Sequence, residues 1–449
     1  MTLDTPLRLA APVLSLLLLA PGLTACTGDE VEDDTSNGDA EPQWPMAESE
    51  VEREVDPQLT ADETASIADD QLALALDLYH VLREGDLSGK SFSVSSYSIS
   101  AAFGMLYGGT VGQAREQMES TLHFSLGDER QHVAHNWLDK QLAARNIEGV
   151  TDPDFMAEPV VLKTANGVWL DKTQRDGLVP DYLDLLARHY GTGIRIADFQ
   201  GNAEGERDGI NLWVSHRTNE LIPELIPDDV ITPDTTMVLV NALYLKAPWD
   251  QQFTEGATSK APFTKLDGST VEVDLMHNPV MSGLYAEGED FSAFAAPLRG
   301  SALEVVFVVP DDFTSFEAAL DPSTVANMLS SLEYTVVDTY VPRFELESDV
   351  PLTAVLRDDL GMLAPFVDSS SFDDIVPQLG VITDVLHKTV IKVDEKGTEA
   401  AAATAIVIGE DGGDYEEPSA VFRADKPFIL MIRDAPTQSV LFFGRVLEP

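Results

Sequence analysis

Two periods of apolar residues divide this chain. Early in the body the spacing is helical: Leu74, Leu78, Val81 and Leu82 share one face of residues 71–84, which Gly85 ends. Residues 98–107 continue as a second helix, and Thr110-x-x-Gln113 resembles a capping box that opens a third helix through Leu122. Ile210, Trp213, Val214, Arg217 and Leu221 again fall at helical spacing. The other period is that of strands. Residues 160–170, carrying Asn166 and Trp169, and residues 236–245, with Asn241 at their centre, are strand patterns, and a buried Asn241 needs a hydrogen-bond partner. Residues 302–309 form a continuous apolar strand that Pro310 stops. Residues 336–346 form another, in which Pro342 predicts an edge or a bulge. A short helix over 352–360 closes on Gly361, and strands over 428–432 and 440–446 finish the chain. Helices gather early and strands late, without strand-helix-strand alternation. The pattern predicts one α+β domain with large sheets and excludes a doubly wound nucleotide fold.

One stretch supports two readings. After the alternating residues 385–393 comes Glu395-Lys396-Gly397-Thr398-Glu399, then Ala400, Ala401, Ala402, Ala403 and Thr404. Four alanines favour a helix. The same small side chains suit a segment that slips between existing strands, with Gly397 as a hinge and one charge, Glu399, to place on alternate faces.

Charge and cysteine usage narrow the function. The formal net charge is −49. Residues 27–68 hold 14 Asp and Glu against Arg53 alone, which is −13 and leaves −36 on the remainder. Such a surface repels nucleic acid and anionic lipid, so no nucleic-acid partner is expected. Residues 27–68, acidic and broken by Pro42, Pro45 and Pro57, are expected to be a disordered tether. The single cysteine, Cys26, excludes an intrachain disulfide. Arg8, an apolar run over 9–19 and Leu23-Thr24-Ala25-Cys26 resemble an export signal ending in a bacterial lipobox. The resemblance implies a signal peptide over 1–25, acylation of Cys26, and an exported protein held to a membrane surface only by that lipid, at the outer membrane, the cell surface or outside the cell.

From about residue 70 onward the chain resembles the serpins. The residues that carry the likeness are Ser95, Ser98 and Ile99; Ala165-Asn166; Asp198-Phe199; Ile210-Asn211-x-Trp213-Val214. Further on come Leu239-Val240-Asn241-Ala242-Leu243-Tyr244-x-Lys246-x-x-Trp249 and Val341-Pro342-Arg343-Phe344. Then come His387-Lys388 and Val393-Asp394-Glu395-x-Gly397-Thr398-Glu399 with the alanines after it, Phe422-x-Ala424-Asp425-x-Pro427-Phe428, and Leu441-Phe442-x-Gly444-Arg445. The resemblance implies an α+β serpin fold over 69–449, with three β-sheets, eight to nine helices and an exposed reactive-centre loop. It also implies suicide inhibition of serine or cysteine proteases by a monomer that is not an enzyme and needs no cofactor or metal. Glu395, Gly397, Thr398, Glu399, Ala400 to Ala403 and Thr404 would be the hinge. Ser95, Ser98, Asn241 and His387 would form a polar cluster beneath the parting sheet, with Trp249 and Lys388 near its top beside Glu395. The chain departs from the pattern at Ser96, Asn219-Glu220 and Leu245.

Counting from the hinge places the scissile bond at Asp411-Gly412, whereas counting back from Pro427 gives 413–416, including Tyr415. Acidic-residue-selective, chymotrypsin-like and subtilisin-like proteases all remain candidates. No Arg or Lys occurs between Thr398 and Glu417, which argues against a trypsin-like target. Two other classes compete: a serpin-like surface protein that binds without inhibiting, and an exported hydrolase. The hydrolase lacks support, since no Gly-x-Ser-x-Gly, His-Glu-x-x-His or phosphate loop occurs. His132 and His135 are expected on the surface, with no completed metal site.

Overall fold

A computed structural model describes residues 41–152, 155–398 and 417–449. Glu399 to Thr404, Asp411, Gly412, Tyr415 and Cys26 therefore lie outside the described residues. The N-terminal part runs β1 (Met46–Ala47), α1 (Ala61–Glu84), β2 (Phe92–Val94), α2 (Ser96–Tyr107), α3 (Gly112–Thr121) and α4 (Asp128–Ala143). After the hairpin β3 (Val150–Asp152) and β4 (Phe155–Ala157) come β5 (Val161–Asp171), α5 (Pro180–Leu185), a π-helical turn over Leu186–Tyr190, β6 (Ile194–Ala197), α6 (Phe199–Arg217) and β7 (Met237–Pro248). The next part holds β8 (Ser259–Thr264), β9 (Thr270–Glu287), β10 (Phe291–Pro297), β11 (Leu303–Pro310), α7 (Phe313–Ala318), α8 (Pro322–Ser330), β12 (Glu333–Pro342) and β13 (Phe344–Pro351). The chain closes with α9 (Leu352–Ala354), α10 (Ala364–Val367), β14 (Leu386–Val393), β15 (Gly397–Thr398), β16 (Ala420–Arg423), β17 (Phe428–Asp434) and β18 (Ser439–Val446).

The strands form three sheets, ordered β1-β6-β5-β7-β15-β14-β13, then β16-β12-β9-β10-β11-β17-β18-β2 with β8 on β9, and the hairpin β3-β4. Among the described residues eight α-helices have six residues or more, α9 and α10 are shorter, and a 3-10 helix spans Lys172–Gly177. β11, buried at every position, and β17 and β18, likewise buried throughout, form the centre of the second sheet. Such strands need apolar residues on both faces, which is why Leu303 to Pro310 shows no alternation. In contrast β14 alternates buried and half-buried positions, as a strand with one covered face should.

Four sequence expectations change. Thr110-x-x-Gln113 is not a capping box: α3 starts at Gly112, its N-cap Val111 makes no side-chain bond, and Thr110 Oγ1 donates back to Leu106 O at 2.8 Å. The strand expected over 336–346 is two strands in different sheets, because Pro342 ends β12 and Phe344 starts β13. α1 begins ten residues earlier than its apolar face suggested, at Ala61, where Thr60 and Glu63 form a capping box.

The fourth concerns residues 41–60, expected within a disordered tether. They run along the body as a strap. Met46 and Ala47 pair antiparallel with Arg195 and Ile194, extending the first sheet by one edge strand. Trp44 Nε1 donates to Glu206 Oε2 at 2.6 Å, and its ring meets Trp169 edge-on at 5.4 Å. Arg53 bonds Asp139 at 2.6 Å and Asn136 Oδ1 at 3.0 Å. An acidic, proline-broken composition predicts disorder only while the few apolar anchors find no groove, and here Trp44 finds one. Trp44→Ala is therefore expected to lower stability by about 2 kcal/mol, read as a drop in the thermal midpoint by calorimetry. An unchanged midpoint would return the strap to the status of a tether.

Candidate functional site

The two central strands of the first sheet, β7 and β14, are not paired to each other among the described residues. The two-residue strand β15 lies between them. Thr398 pairs with Val393 of β14 and with Ala247 of β7, and Gly397 pairs with Pro248. Beyond β15 the two strands flank a cleft lined mostly by apolar side chains, with Ile99 and Phe103 of α2 beneath it and Val240, Asn241, Leu386 and His387 on its walls. Met237, Val238, Leu239 and Val390, apolar residues of these two strands, are only half-buried.

A tight turn brings β15 into the gap. Asp394 Oδ1 accepts from the amides of Lys396 at 2.8 Å and Gly397 at 3.2 Å, and Asp394 N donates to Gly397 O at 3.1 Å. This is an aspartate side chain closing its own turn. A Cβ on Gly397 would lie 2.2 Å from Ala247 O, so glycine is required here by close approach to β7 and not by a left-handed backbone. Thr398 is buried and exchanges hydrogen bonds with both the N–H and the carbonyl of Ala247, each at 3.2 Å.

Glu395 anchors the turn from below. Its carboxylate accepts from Arg343 Nη2 at 2.5 Å, Arg343 Nε at 3.2 Å and Thr258 Oγ1 at 2.6 Å, while its carbonyl accepts from Phe253 N at 2.9 Å. Burial pushes the carboxyl up, but the hydrogen bonds from Arg343 and Thr258 outweigh it and hold the group below the usual carboxylate range. Arg343 is the single residue between β12 and β13, so the crossing from one sheet to the other delivers this guanidinium. Trp249 completes the top of the seam, donating from Nε1 to Asp394 O and from its backbone to Lys396 O, each at 2.8 Å.

Lower in the seam is a polar lattice. The Ser95 amide donates to His387 Nε2 at 3.0 Å, and Ser98 N donates to Ser95 Oγ at 3.2 Å. Full burial pulls His387 down to about 4, so it is a neutral acceptor at neutral pH. Ser93 Oγ meets Thr389 Oγ1 at 2.7 Å, and Ser348 Oγ accepts from Ser93 N at 2.8 Å.

Of the site residues read from sequence, Ser95, Ser98 and His387 come together, and so do Glu395, Gly397, Thr398 and Trp249. Two placements are corrected. Asn241 does not bond His387: its Nδ2 donates to Asn166 Oδ1, its register partner on β5, and its Oδ1 has no partner among the described residues. Lys388 is not near Trp249 or Glu395. It sits at the far end of β14, seven residues from Glu395 or about 23 Å along a strand, and pairs with Glu347 at 2.7 Å. Sequence reasoning missed Arg343 and Thr258 as partners of Glu395, and Ser93, Ser348 and Thr389 in the lattice. Ser348 and Thr389 had a signal, since both fall on the buried positions of alternating strands.

His132 and His135, expected on the surface, are buried at 1% and 6% exposure. Among the described residues no group of three His, Cys, Asp or Glu is arranged to hold a metal ion.

Comparison with known proteins agrees with this architecture. The profile of the family described as "Serpin (serine protease inhibitor)" matches residues 69–449. An uncharacterized serpin-like protein of Thermococcus kodakarensis is 32% identical over 384 residues, 84% of each chain. The leukocyte elastase inhibitor of Homo sapiens is 32% identical over 390 residues, 84% of this chain and 97% of that one. Among solved structures, the thermophilic serpin tengpin in its native state superposes with a TM-score of 0.75 at 23% identity, covering 91% of this chain and 100% of that one. Uncleaved ovalbumin does so at 0.73 and 23%, covering 86% and 100%. With its parted central strands, the short strand Gly397–Thr398 seated between them and this family match over nearly the whole body, the chain belongs to the serpins, a family of protease inhibitors rather than enzymes.

Proposed function

We propose that this serpin is a suicide inhibitor that works by strand insertion. The observation that carries the proposal is β15: the first residues of the small-residue segment already occupy the place between β7 and β14, bonded to both. A target protease attacks a carbonyl in the loop beyond Thr398, its nucleophile forms an ester or thioester, and the new amino terminus departs. The freed segment then continues β15 down the cleft as a full strand. Each new main-chain hydrogen bond contributes roughly 1 kcal/mol, and the half-buried flanks of β7 and β14 become covered. Insertion thus outcompetes hydrolysis of the acyl-enzyme, and the protease is carried to the far end of the sheet. The uncut form is a kinetic trap.

The polar contacts at the seam set how readily it opens. Glu395–Arg343 and the Trp249 bonds fix where insertion starts. The neutral bonds of Ser95, Ser98 and His387 are individually weak, so strands can exchange them as the sheet parts. The loop's acidic residues, Glu410, Asp411, Asp414, Glu416 and Glu417, fit a protease with an electropositive face that accepts Asp411, Tyr415 or Ile408. We place the mature protein outside the cytoplasm, acylated at Cys26, on the strength of the lipobox-like sequence.

Incubation with chymotrypsin-like, subtilisin-like and acid-selective proteases is expected to give a complex that survives boiling in detergent. Ala400→Pro is expected to convert the inhibitor into a substrate, since proline removes a donor and stiffens the inserting strand. The nicked protein should melt roughly 20 °C above the intact one. Cleavage that leaves protease fully active and the melting temperature unmoved would favour the binding protein instead.

Arg343→Ala leaves the Glu395 carboxylate buried without its main partner and should cost about 2 kcal/mol. The expected readout is a tenfold or greater acceleration of spontaneous loss of inhibitory activity on warming.

His387 adds a pH dependence. Its folded value, about 4, lies below its unfolded one, so the unfolded chain takes up the proton first. Stability from this residue is complete above about pH 6.5 and declines as pH falls towards 4. Equilibrium denaturation of His387→Gln at pH 7 and pH 5 should show a pH effect smaller by about 2 kcal/mol than that of the unaltered protein.

A further inference from the structure

The three histidines His132, His135 and His189 form a buried cluster that plays no part in strand insertion. His132 and His135 lie on α4, and His189 lies in the π-helical turn after α5. His132 and His189 stack with ring centroids 5.9 Å apart. The Tyr190 hydroxyl meets His132 Nδ1 at 2.9 Å and His135 Nδ1 at 3.1 Å, so one hydroxyl bridges two imidazoles. His135 Nε2 is 3.2 Å from Ser100 Oγ and 3.4 Å from Gln131 Nε2. A Cβ on Gly104 of α2 would lie 2.3 Å from the His135 ring, so the helix bearing it fits against the imidazole with no room to spare.

Two ring nitrogens, His132 Nε2 and His189 Nδ1, are buried without a hydrogen-bond partner among the described residues. They are the available sites for added protons. The nearest compensating charge is Asp128, 3.7 Å from His132 Nε2, but Asp128 is already engaged by Arg115. Facing the cluster from α2 are the neutral Tyr107 and Ser100, and from α5 Tyr182; the π-helical turn adds Arg188 and the strap adds Arg53 and Glu54. A second or third proton would therefore meet two neighbouring imidazoles and cationic guanidiniums, with Asp128 and Glu54 as the opposing carboxylates.

The strap is fastened to the same two segments. Glu54 N donates to Arg188 O at 2.9 Å, Asn136 Nδ2 donates to Glu54 O at 2.9 Å, and Arg53 reaches Asn136, Asp139 and the His189 carbonyl. Parting α4 from the π-helical turn removes the seat of Arg53 and Glu54.

We propose that this cluster is an acid-sensitive latch: protonation of His132 and His189 parts α4 from the π-helical turn and releases the strap at Arg53–Glu54. Burial is the first cause holding all three imidazoles neutral. Mutual repulsion adds to it for His135, held at about 3, and His189, held at about 4, whereas Asp128 partly offsets it for His132. Because the folded values lie below the unfolded ones, the closed latch is favoured above about pH 6.5 and weakens as pH falls. His189, on regaining its ordinary value near 6.5 on opening, favours the open form by roughly 30-fold at pH 5, and His132 acts in the same direction. Carboxylates with ordinary values near 4 stay mostly ionised at that pH, so the histidines dominate the window. His123 works in the opposite sense, since its hydrogen bond to Asp77 raises it.

Hydrogen exchange of the full chain at pH 7.5 and pH 5.0, corrected for intrinsic rates, tests the latch. The expected result is at least tenfold faster exchange in residues 50–56, 132–139 and 186–191 at pH 5.0, with β11 and β17 unchanged, and loss of that difference in His132→Gln/His189→Gln. Exchange that does not respond to pH, or responds equally in the double variant, overturns the proposal. Should the double variant not fold, imidazole titration of the unaltered protein by NMR decides. Uptake of protons at His132 and His189 together with loss of strap protection supports the latch, and neutrality of both until global unfolding refutes it.

Discussion

The ion pair between Glu395 and Arg343 is the constraint on which the rest of the sheet depends. It sits where the chain has just left β14, and its guanidinium comes from the single residue between β12 and β13, which lie in different sheets. A carboxylate with 4% exposure is costly unless it is paired, and the two charged hydrogen bonds from Arg343 and the hydroxyl of Thr258 satisfy it, while the Phe253 amide holds the Glu395 carbonyl. With Glu395 fixed, Asp394 can close its turn, Gly397 can lie against the Ala247 carbonyl and Thr398 can reach both lips of the seam. Moving the pair would move the starting point of every residue beyond it.

Below that anchor the seam is held differently. Charged contacts give way to neutral ones between Ser93, Ser95, Ser348, Thr389 and His387, each worth on the order of 1 kcal/mol. No main-chain pairing joins β7 to β14 among the described residues, and the cleft between them is lined by apolar side chains. The seam thus combines a charged fixed point above with neutral bonds beneath. Among the described residues the upper end of the cleft presents a strand, β15, already in register with both walls, and the proposed insertion rests on that feature.

Much of this was legible from residue patterns. The alternation over residues 385–393 predicted a strand, and β14 buries His387, Thr389, Ile391 and Val393 on one face. Asn241 in an apolar strand called for a partner, and it has one. The partner's identity was not legible: Asn166 stands opposite Asn241 because β5 and β7 pair antiparallel in one register, and nothing local to either strand encodes the other. Asn219 and Glu220, where the chain departs from the family pattern, take a backbone that was not read from the sequence. Both adopt left-handed backbone, φ 51° and 63°, at the turn that ends α6. Asn tolerates such angles better than Glu does.

The errors share one physical cause. Lys388 was placed with Trp249 by resemblance, yet strand rise alone separates it from Glu395. The segment 41–60 was assigned to a tether by composition, yet Trp44 and Arg53 find partners on α6 and α4. His132 and His135 looked like polar residues for solvent, but α2 presents Gly104 and Ser100, and the π-helical turn presents Tyr190, so the imidazoles are enclosed. By itself the sequence determined hydrophobic period and family, because the first depends on neighbours within a few residues and the second on motifs in order along the chain: the strand of β14 and the serpin match are both readable from it. Only the tertiary structure decided which buried groups satisfy one another. Hydrogen-bond and charge partners such as Arg343 with Glu395, 52 residues apart, are chosen by sheet order and register, which no local pattern carries.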